Sequence, residues 1–197
     1  MKIFNCEQGS DEWFQARLGI PTASCFDDVM AGGKGITRRK YMLKLAGEKL
    51  TGEMTDGYSN AHMERGKLLE PEARELYMMQ TGNVCDLVGF IRADYNAGAS
   101  PDSLVGNDGL LEIKTKLPHL QLEYLLSDKQ PTEHMKQIQG QLMVVEREWC
   151  DFVSYWPGLP LYIKRVFRDE ALISEMRNAI DQFNDELNEI VNKVAMM

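Results

Sequence analysis

Six residues of the chain have types and spacing that could act together. Ser100-Pro101-Asp102 is followed, after nine intervening residues, by Glu112-Ile113-Lys114. Between them stands Asn107-Asp108-Gly109, a strong turn signal flanked by β-like runs at residues 103–105 and 110–115. If Asn107-Asp108 forms a two-residue hairpin loop, Asp102 falls opposite Ile113, and a bulge or frayed end brings its carboxylate to that of Glu112. Glu112 and Lys114, two apart on one strand, project from the same face. Two carboxylates and an ammonium would converge there. Hard oxygen ligands favour Mg²⁺ or Mn²⁺ over zinc. A lysine beside such an ion can orient or deprotonate an attacking water and balance charge on the attacked phosphate. That set suits phosphodiester hydrolysis. A surface hairpin with an i,i+2 Glu/Lys pair is the plainer alternative.

The elements that must position these residues read as α/β: a central mixed β-sheet flanked by helices. Short helices are expected over 13–18 and from a Thr22 cap to Gly32-Gly33, and a longer one from a Thr37 cap to Leu50, with Tyr41, Leu45 and Leu50 on one side. Ser59 opens a fourth, and Pro71 suits the first turn of another that stops at Gly82. Residues 87–93 read as a strand, 119–126 and 132–145 as helices, and 149–156 and 161–167 as strands joined through Pro157-Gly158. A long helix from about Glu170 ends the chain. Its Ile173, Met176, Ile180, Phe183, Leu187, Ile190 and Val194 make one apolar stripe, best packed on the subunit's own sheet.

The 197 residues suit one domain, 1–197, able to bury a core without disulfide or metal. No apolar run approaches the roughly 20 residues of a membrane span, and the N-terminus lacks a signal-peptide stretch, which argues against secreted and membrane classes. Cys6, Cys25, Cys85 and Cys150 show no CxxC spacing, which disfavours zinc and suggests reduced thiols. His62, His119 and His134 fit no ligand spacing and read as structural or surface residues. The net charge of −8 argues against a general nucleic-acid coat, though not against an enzyme gripping DNA locally. The charge is uneven. Residues 32–50 hold six bases, among them Lys34, Arg38, Arg39 and Lys40, against one acid; residues 169–197 hold seven acids against two bases.

With these pieces in hand, the sequence resembles the phage lambda exonuclease type of alkaline exonuclease, within the PD-(D/E)XK nuclease superfamily. Four further stretches carry the likeness in order along nearly the whole chain. Glu7-Gln8-Gly9-Ser10-Asp11-Glu12-Trp13 with Arg17-Leu18-Gly19 looks like that family's entry helix, followed by Thr22-Ala23-Ser24. Arg65-Gly66-Lys67 with Glu70 and Ala73-Arg74 looks like the helix that adds an acidic group, and Gln137-Ile138-Gln139 like the glutamine motif after the catalytic strand. Ser103 stands where the family often has glycine, which leaves the local turn open but not the ligands.

The resemblance implies a role for each position. Asp102 and Glu112 would hold Mg²⁺ or Mn²⁺, with the Ile113 carbonyl as a further ligand and Glu70 near a second metal position. Lys114 would handle the attacking water and Gln139 would help position it. Arg17, Ser24 and Ser100 would bind a terminal 5′-phosphate; without the resemblance, Arg17 and Ser24 would read as a helix-end cation and a cap. The charge run, rather than the resemblance, offers Lys34, Arg38, Arg39 and Lys40 to the DNA backbone, with a solvated helix face as the alternative. The implied activity is 5′-to-3′ digestion of one strand of linear duplex DNA, leaving 3′ tails for phage-type recombination. The implied setting is a homotrimeric ring, a single-strand annealing partner and the host cytoplasm, from a phage or prophage gene. A restriction-type endonuclease with the same core, or a catalytically silent DNA-binding protein, are the competing readings. An iron–sulfur nuclease is disfavoured because the last cysteine is Cys150.

Overall fold

The computed structural model describes residues 1–31, 36–54 and 61–197, the side chains of 61–63 excepted. In chain order the elements are β1 (Lys2–Phe4), α1 (Asp11–Arg17), a 3-10 turn (Ala23–Cys25), α2 (Phe26–Met30), α3 (Ile36–Thr51) and α4 (Ala61–Thr81). Then come β2 (Cys85–Asp86), β3 (Phe90–Arg92), β4 (Gly98–Ala99), β5 (Ser103–Val105), β6 (Gly109–Thr115) and α5 (Pro118–Ser127). A second 3-10 turn (Thr132–His134) leads into α6 (Met135–Val145), β7 (Trp149–Tyr155), β8 (Tyr162–Phe167) and α7 (Glu170–Ala195).

The main sheet has the order β2-β5-β6-β7-β8, parallel between β6 and β7 and antiparallel elsewhere, so it is mixed as expected. Strand alternation divides its residues between two cores. Leu110, Cys150, Phe152 and Val166 pack with Ile138 and Leu142 of α6; Leu111, Ile113, Val153 and Tyr155 pack with Ala73 and Tyr77 of α4. Cover on both faces explains the nearly unbroken apolar run in β6 and β7. On the α4 side, buried Asp151 accepts the Tyr77 hydroxyl at 2.7 Å and a bidentate pair from Arg165 at 2.8 Å. This tethers the helix to the sheet.

Several expectations need correcting. Of residues 87–93 only Phe90–Arg92 (β3) is strand, and it joins a separate sheet of order β1-β3-β4, whereas β2, which ends at Asp86, belongs to the main sheet. The break falls at Gly89, where an added Cβ would lie 2.3 Å from the Cys6 carbonyl oxygen, so the chain passes there only as glycine. Pro71 does not start a new helix. It lies inside α4, where the Lys67 carbonyl forgoes its helical partner and tertiary packing holds the turn. Thr37 is within α3 rather than its cap, and Leu50 is exposed although Tyr41 and Leu45 are buried. Thr22 precedes the 3-10 turn without a side-chain cap bond. The expected helix end at Gly32-Gly33, the Ser59 start, Lys34 and the side chain of His62 lie outside the described residues.

The stripe on α7 is buried at Ile173, Met176, Ile180, Phe183 and Leu187, but Val194 is exposed. It packs on α2, α3 and α6 rather than on the sheet. The basic α3 and acidic α7 therefore lie side by side. Arg38 forks onto Glu186 at 2.6 and 3.1 Å and donates to the Val29 carbonyl, while Arg39 and Lys40 remain exposed.

Candidate active site

The hairpin closes one residue differently from expectation. Its loop is Gly106-Asn107-Asp108, with Gly106 at φ +54°, so the pairs are Ser103 with Leu111, Leu104 with Leu110 and Val105 with Gly109. Continued by one step, this register sets Asp102 opposite Glu112. No bulge is needed. The Asp102 amide donates to the Leu111 carbonyl at 3.1 Å, and its carboxylate accepts the Ile113 amide at 2.6 Å.

Glu112 is 2% exposed, and both of its oxygens are occupied. Oε1 meets the Lys114 ammonium at 2.5 Å and the Gln137 amide at 2.7 Å; Oε2 accepts the Gln141 amide at 2.6 Å. Gln137 and Gln141 stand four apart on α6, one above the other on the face turned to β6. Gln139, between them, points away. It donates to the Phe167 carbonyl at 2.7 Å and accepts the Asp169 amide at 2.8 Å, clamping the start of α7. The expected role of Gln139 is thus corrected, and the i,i+4 pair of glutamines was the signal available in the sequence.

Glu70 approaches from α4, ion-paired with Arg74, which also donates to the Ser103 hydroxyl at 2.9 Å and the Asp102 carbonyl at 3.3 Å. Ser103, where the resemblance leads one to expect glycine, is buried in β5 and bonded to Arg74.

The electrostatics follow from this crowding. Burial pushes the Asp102 carboxyl well above the usual carboxylate range, and repulsion from Glu112 and Glu70 adds to it against Lys114 and the Ile113 amide. Burial also raises Glu70, against the pull of Arg74. For Lys114 burial pulls down, but Glu112, Asp102 and Glu70 outweigh it and hold the ammonium above its ordinary value. Asp102 and Glu70, both raised, stand with Glu112 as hard oxygen donors, the donor type that suits Mg²⁺ or Mn²⁺. Each is held by the chain's own donors: Lys114 on Glu112, Arg74 on Glu70 and the Ile113 amide on Asp102.

A histidine borders this cluster that the sequence left as structural or surface. His134 stacks on Phe152 at 5.4 Å, and its Nε2 lies 2.9 Å from the Lys116 ammonium. Burial, Lys116 and Lys114 lower its pKa to about 4, against Glu133 and Glu112. Among the others, His119 is exposed. The four cysteines are free thiols, as expected.

Arg17 and Ser100 come together two residues before Asp102. Arg17 Nη1 lies 3.5 Å from Ser100 Oγ, and its guanidinium stacks 3.9 Å above the Trp13 ring. Burial lowers its pKa, with only longer-range support from groups such as Tyr41, Cys25 and Glu48. Ser24 is exposed on the 3-10 turn, its hydroxyl 3.3 Å from that of Thr22 rather than on Arg17 or Ser100. That turn is anchored to the strand leading to Ser100, because the Gly98 amide donates to the Pro21 carbonyl at 3.0 Å. Of the expected backbone contacts, Arg38 is engaged by Glu186 and so does not face solvent as a free cation.

Comparison with known proteins shows the family and close structural likenesses. Residues 12–148 match the model of the YqaJ-like viral recombinase domain. The chain is similar to an alkaline exonuclease, LHK-Exo, from Laribacter hongkongensis, at 39% identity and a TM-score of 0.86 over 95% of this chain and 97% of that one. A structure of LHK-Exo in complex with dAMP aligns at 41% identity and a TM-score of 0.86, covering 94% and 96% of the two chains. A phage-related exonuclease from Haemophilus somnus shares the fold at 15% identity and a TM-score of 0.66, over 86% and 95%. No curated protein matches the sequence.

Proposed function

Because this chain belongs to the YqaJ-like viral recombinase family and its alkaline exonuclease relative supports a nuclease role, we propose that it is a single-domain exonuclease, residues 1–197, digesting one strand of linear duplex DNA from 5′ to 3′. The observation that carries the reading is the register that sets Asp102 opposite Glu112, with Lys114 on the same strand face and the Arg17/Ser100 pair two residues upstream.

Asp102, Glu112 and Glu70, with the Ile113 carbonyl, are the residues that would hold Mg²⁺ or Mn²⁺. Such an ion, when bound, supplies Lewis-acid polarisation of the phosphate and a nucleophile at neutral pH. The chain's own groups do the rest. Lys114, kept charged by three carboxylates, orients the attacking water and balances charge on the attacked phosphate. Gln137 and Gln141 fix the Glu112 carboxylate so that it does not swing as Lys114 moves. Arg17 and Ser100, assisted by Ser24, hold the terminal 5′-phosphate; the planar guanidinium offers a fork and serine a compact donor.

The product is a 3′ single-stranded tail for recombination, passed to a single-strand annealing protein in the bacterial host cytoplasm. Among the described residues no helix is long and apolar enough to cross a membrane. A net charge of −8 favours release of DNA, so retention calls for enclosure. A ring of three subunits with heterologous contacts supplies it, with Arg39 and Lys40 toward the duplex.

The test is digestion of end-labelled linear duplex, with and without a 5′-phosphate, beside a closed circle, in Mg²⁺ and in EDTA. Release of 5′-terminal nucleotides from linear DNA in Mg²⁺ alone is the expected result. Rapid cutting of the circle would favour the endonuclease reading.

A further inference from the structure

We infer that Trp13 is a positioning residue of the 5′-phosphate pocket, its indole N–H and its ring face together aiming the Ser100 hydroxyl and the Arg17 guanidinium at an incoming phosphate. The inference rests on the reading of Arg17 and Ser100 as that pocket. A serine hydroxyl has one hydrogen to give and two lone pairs to receive with. At Ser100 both lone pairs have donors: Trp13 Nε1 at 2.9 Å and Arg17 Nη1 at 3.5 Å. The Ser100 hydrogen itself meets no acceptor among the described residues, so the hydroxyl is left as a donor. An anion is what a donor held in this way accommodates.

The ring face acts on the second group. Arg17 Cζ lies 3.9 Å from the centre of the Trp13 ring and 5.7 Å from that of Phe90. Stacking fixes the guanidinium plane without consuming its N–H groups. Among the described residues no carboxylate forms an ion pair with Arg17, although its burial is deep enough to lower its pKa. A desolvated guanidinium with unused donors is suited to a dianionic terminal phosphate.

Trp13 can serve both partners because it and Arg17 stand four apart on α1, on one face of the helix. The helix is itself held in place. Ser10 caps it by accepting the Trp13 amide at 3.3 Å, and the preceding Gln8 donates to the Pro101 carbonyl at 3.1 Å and the Val88 carbonyl at 3.0 Å. Gln8 thereby ties the entry loop to the residue between Ser100 and Asp102, so the pocket and the metal-ligand end share one support.

The experiment compares wild type, Trp13→Phe, Trp13→Leu and Arg17→Ala on linear duplexes that differ only in a 5′-phosphate or 5′-hydroxyl. For each, kcat and KM are measured, together with Kd for the same duplexes in EDTA. The phosphate-to-hydroxyl ratio is the readout, because a loss of folded protein lowers both substrates alike and leaves it unchanged. Trp13→Phe keeps a stacking face but loses the donor, and should reduce the preference several-fold, through KM on the phosphorylated end. Trp13→Leu loses both and should approach Arg17→Ala. If Arg17→Ala erases the preference and both Trp13 variants retain it, Trp13 does not position the pocket. If Arg17→Ala retains it, the pocket reading itself fails. Should Trp13→Leu not fold, Trp13→Phe alone decides.

Discussion

Glu112 is a buried charge and Arg17 a half-buried one, and they are satisfied in opposite ways. Glu112 has three donors on its two oxygens: Lys114, Gln137 and Gln141. Arg17 has a stacking face and one long bond to Ser100. The first region is a closed network, in which Lys114 and Arg74 already supply the positive charge that a bound cation would bring. The second keeps donors in reserve. Substitution in the closed network should therefore remove turnover, whereas substitution in the open pocket should change which ends are preferred.

The largest effects should come from the network. Asp102→Ala or Glu112→Ala should abolish cleavage, and the loss should appear equally as lost Mg²⁺ binding by calorimetry. Lys114→Ala should lower the single-turnover rate by roughly a hundredfold to ten-thousandfold while leaving the Kd for DNA within a small factor. Near-normal turnover in any of the three would break the comparison at its stronger end.

The two kinds of glutamine on α6 sharpen it. Gln137→Ala removes a hydrogen bond to a charged group and should reduce metal affinity or kcat about tenfold to a hundredfold. Gln139→Ala leaves the Asp169 amide and the Phe167 carbonyl without their partner. It should cost about 1–3 kcal/mol of stability, read as a lower Tm, with the rate on folded protein nearly unchanged. The reverse pattern would restore Gln139 to the site.

The same pair shows where legibility stops. The residue set Gln137-Ile138-Gln139 was visible, but choosing its active member needed the helix face, and only Gln141 one turn on marks that face. The four longest strands of the main sheet were readable to within about a residue or two because alternation and turn residues agree there. The small sheet was not, since strands of two or three residues have no period and are set by a chain crossing at Gly89. The hairpin register slipped by one because Asn-Asp-Gly suggests a two-residue loop, while Gly106 at φ +54° closes a three-residue one. That slip hid how directly Asp102 faces Glu112. The basic run looked like a free electrostatic face because a linear sequence does not show that α7 lies along it.

On α3, neighbouring cations should separate by function. Arg38 is committed to Glu186, so Arg38→Ala should lower Tm by a few degrees and leave processivity unchanged at matched folded protein. Arg39→Ala with Lys40→Ala should leave Tm alone and shorten processive runs, more so as salt rises. Loss of processivity from Arg38→Ala at full stability would mean that its pairing with Glu186 opens when DNA arrives.

The smallest effect concerns His134, which borders the closed network without touching Glu112. Burial, Lys116 and Lys114 hold its pKa near 4, below its ordinary value, so the folded protein keeps it neutral. The unfolded chain takes up a proton at this ring as pH falls through about 6.5, while the folded chain resists until about 4. The stability linked to His134 is thus fully present above pH 6.5 and is lost progressively between the two values. His134→Gln leaves an acceptor for Lys116 and removes the titration. Loss of stacking on Phe152 should lower Tm at every pH, but the additional fall between pH 7.5 and pH 5 should be smaller in the variant by a few degrees at most. A comparison of slopes also sets aside the raised carboxyls Asp102 and Glu70, which are common to both proteins and act in the opposite direction. Equal slopes would mean that the ring reaches solvent and titrates normally, and His134 would then belong with the exposed His119 after all.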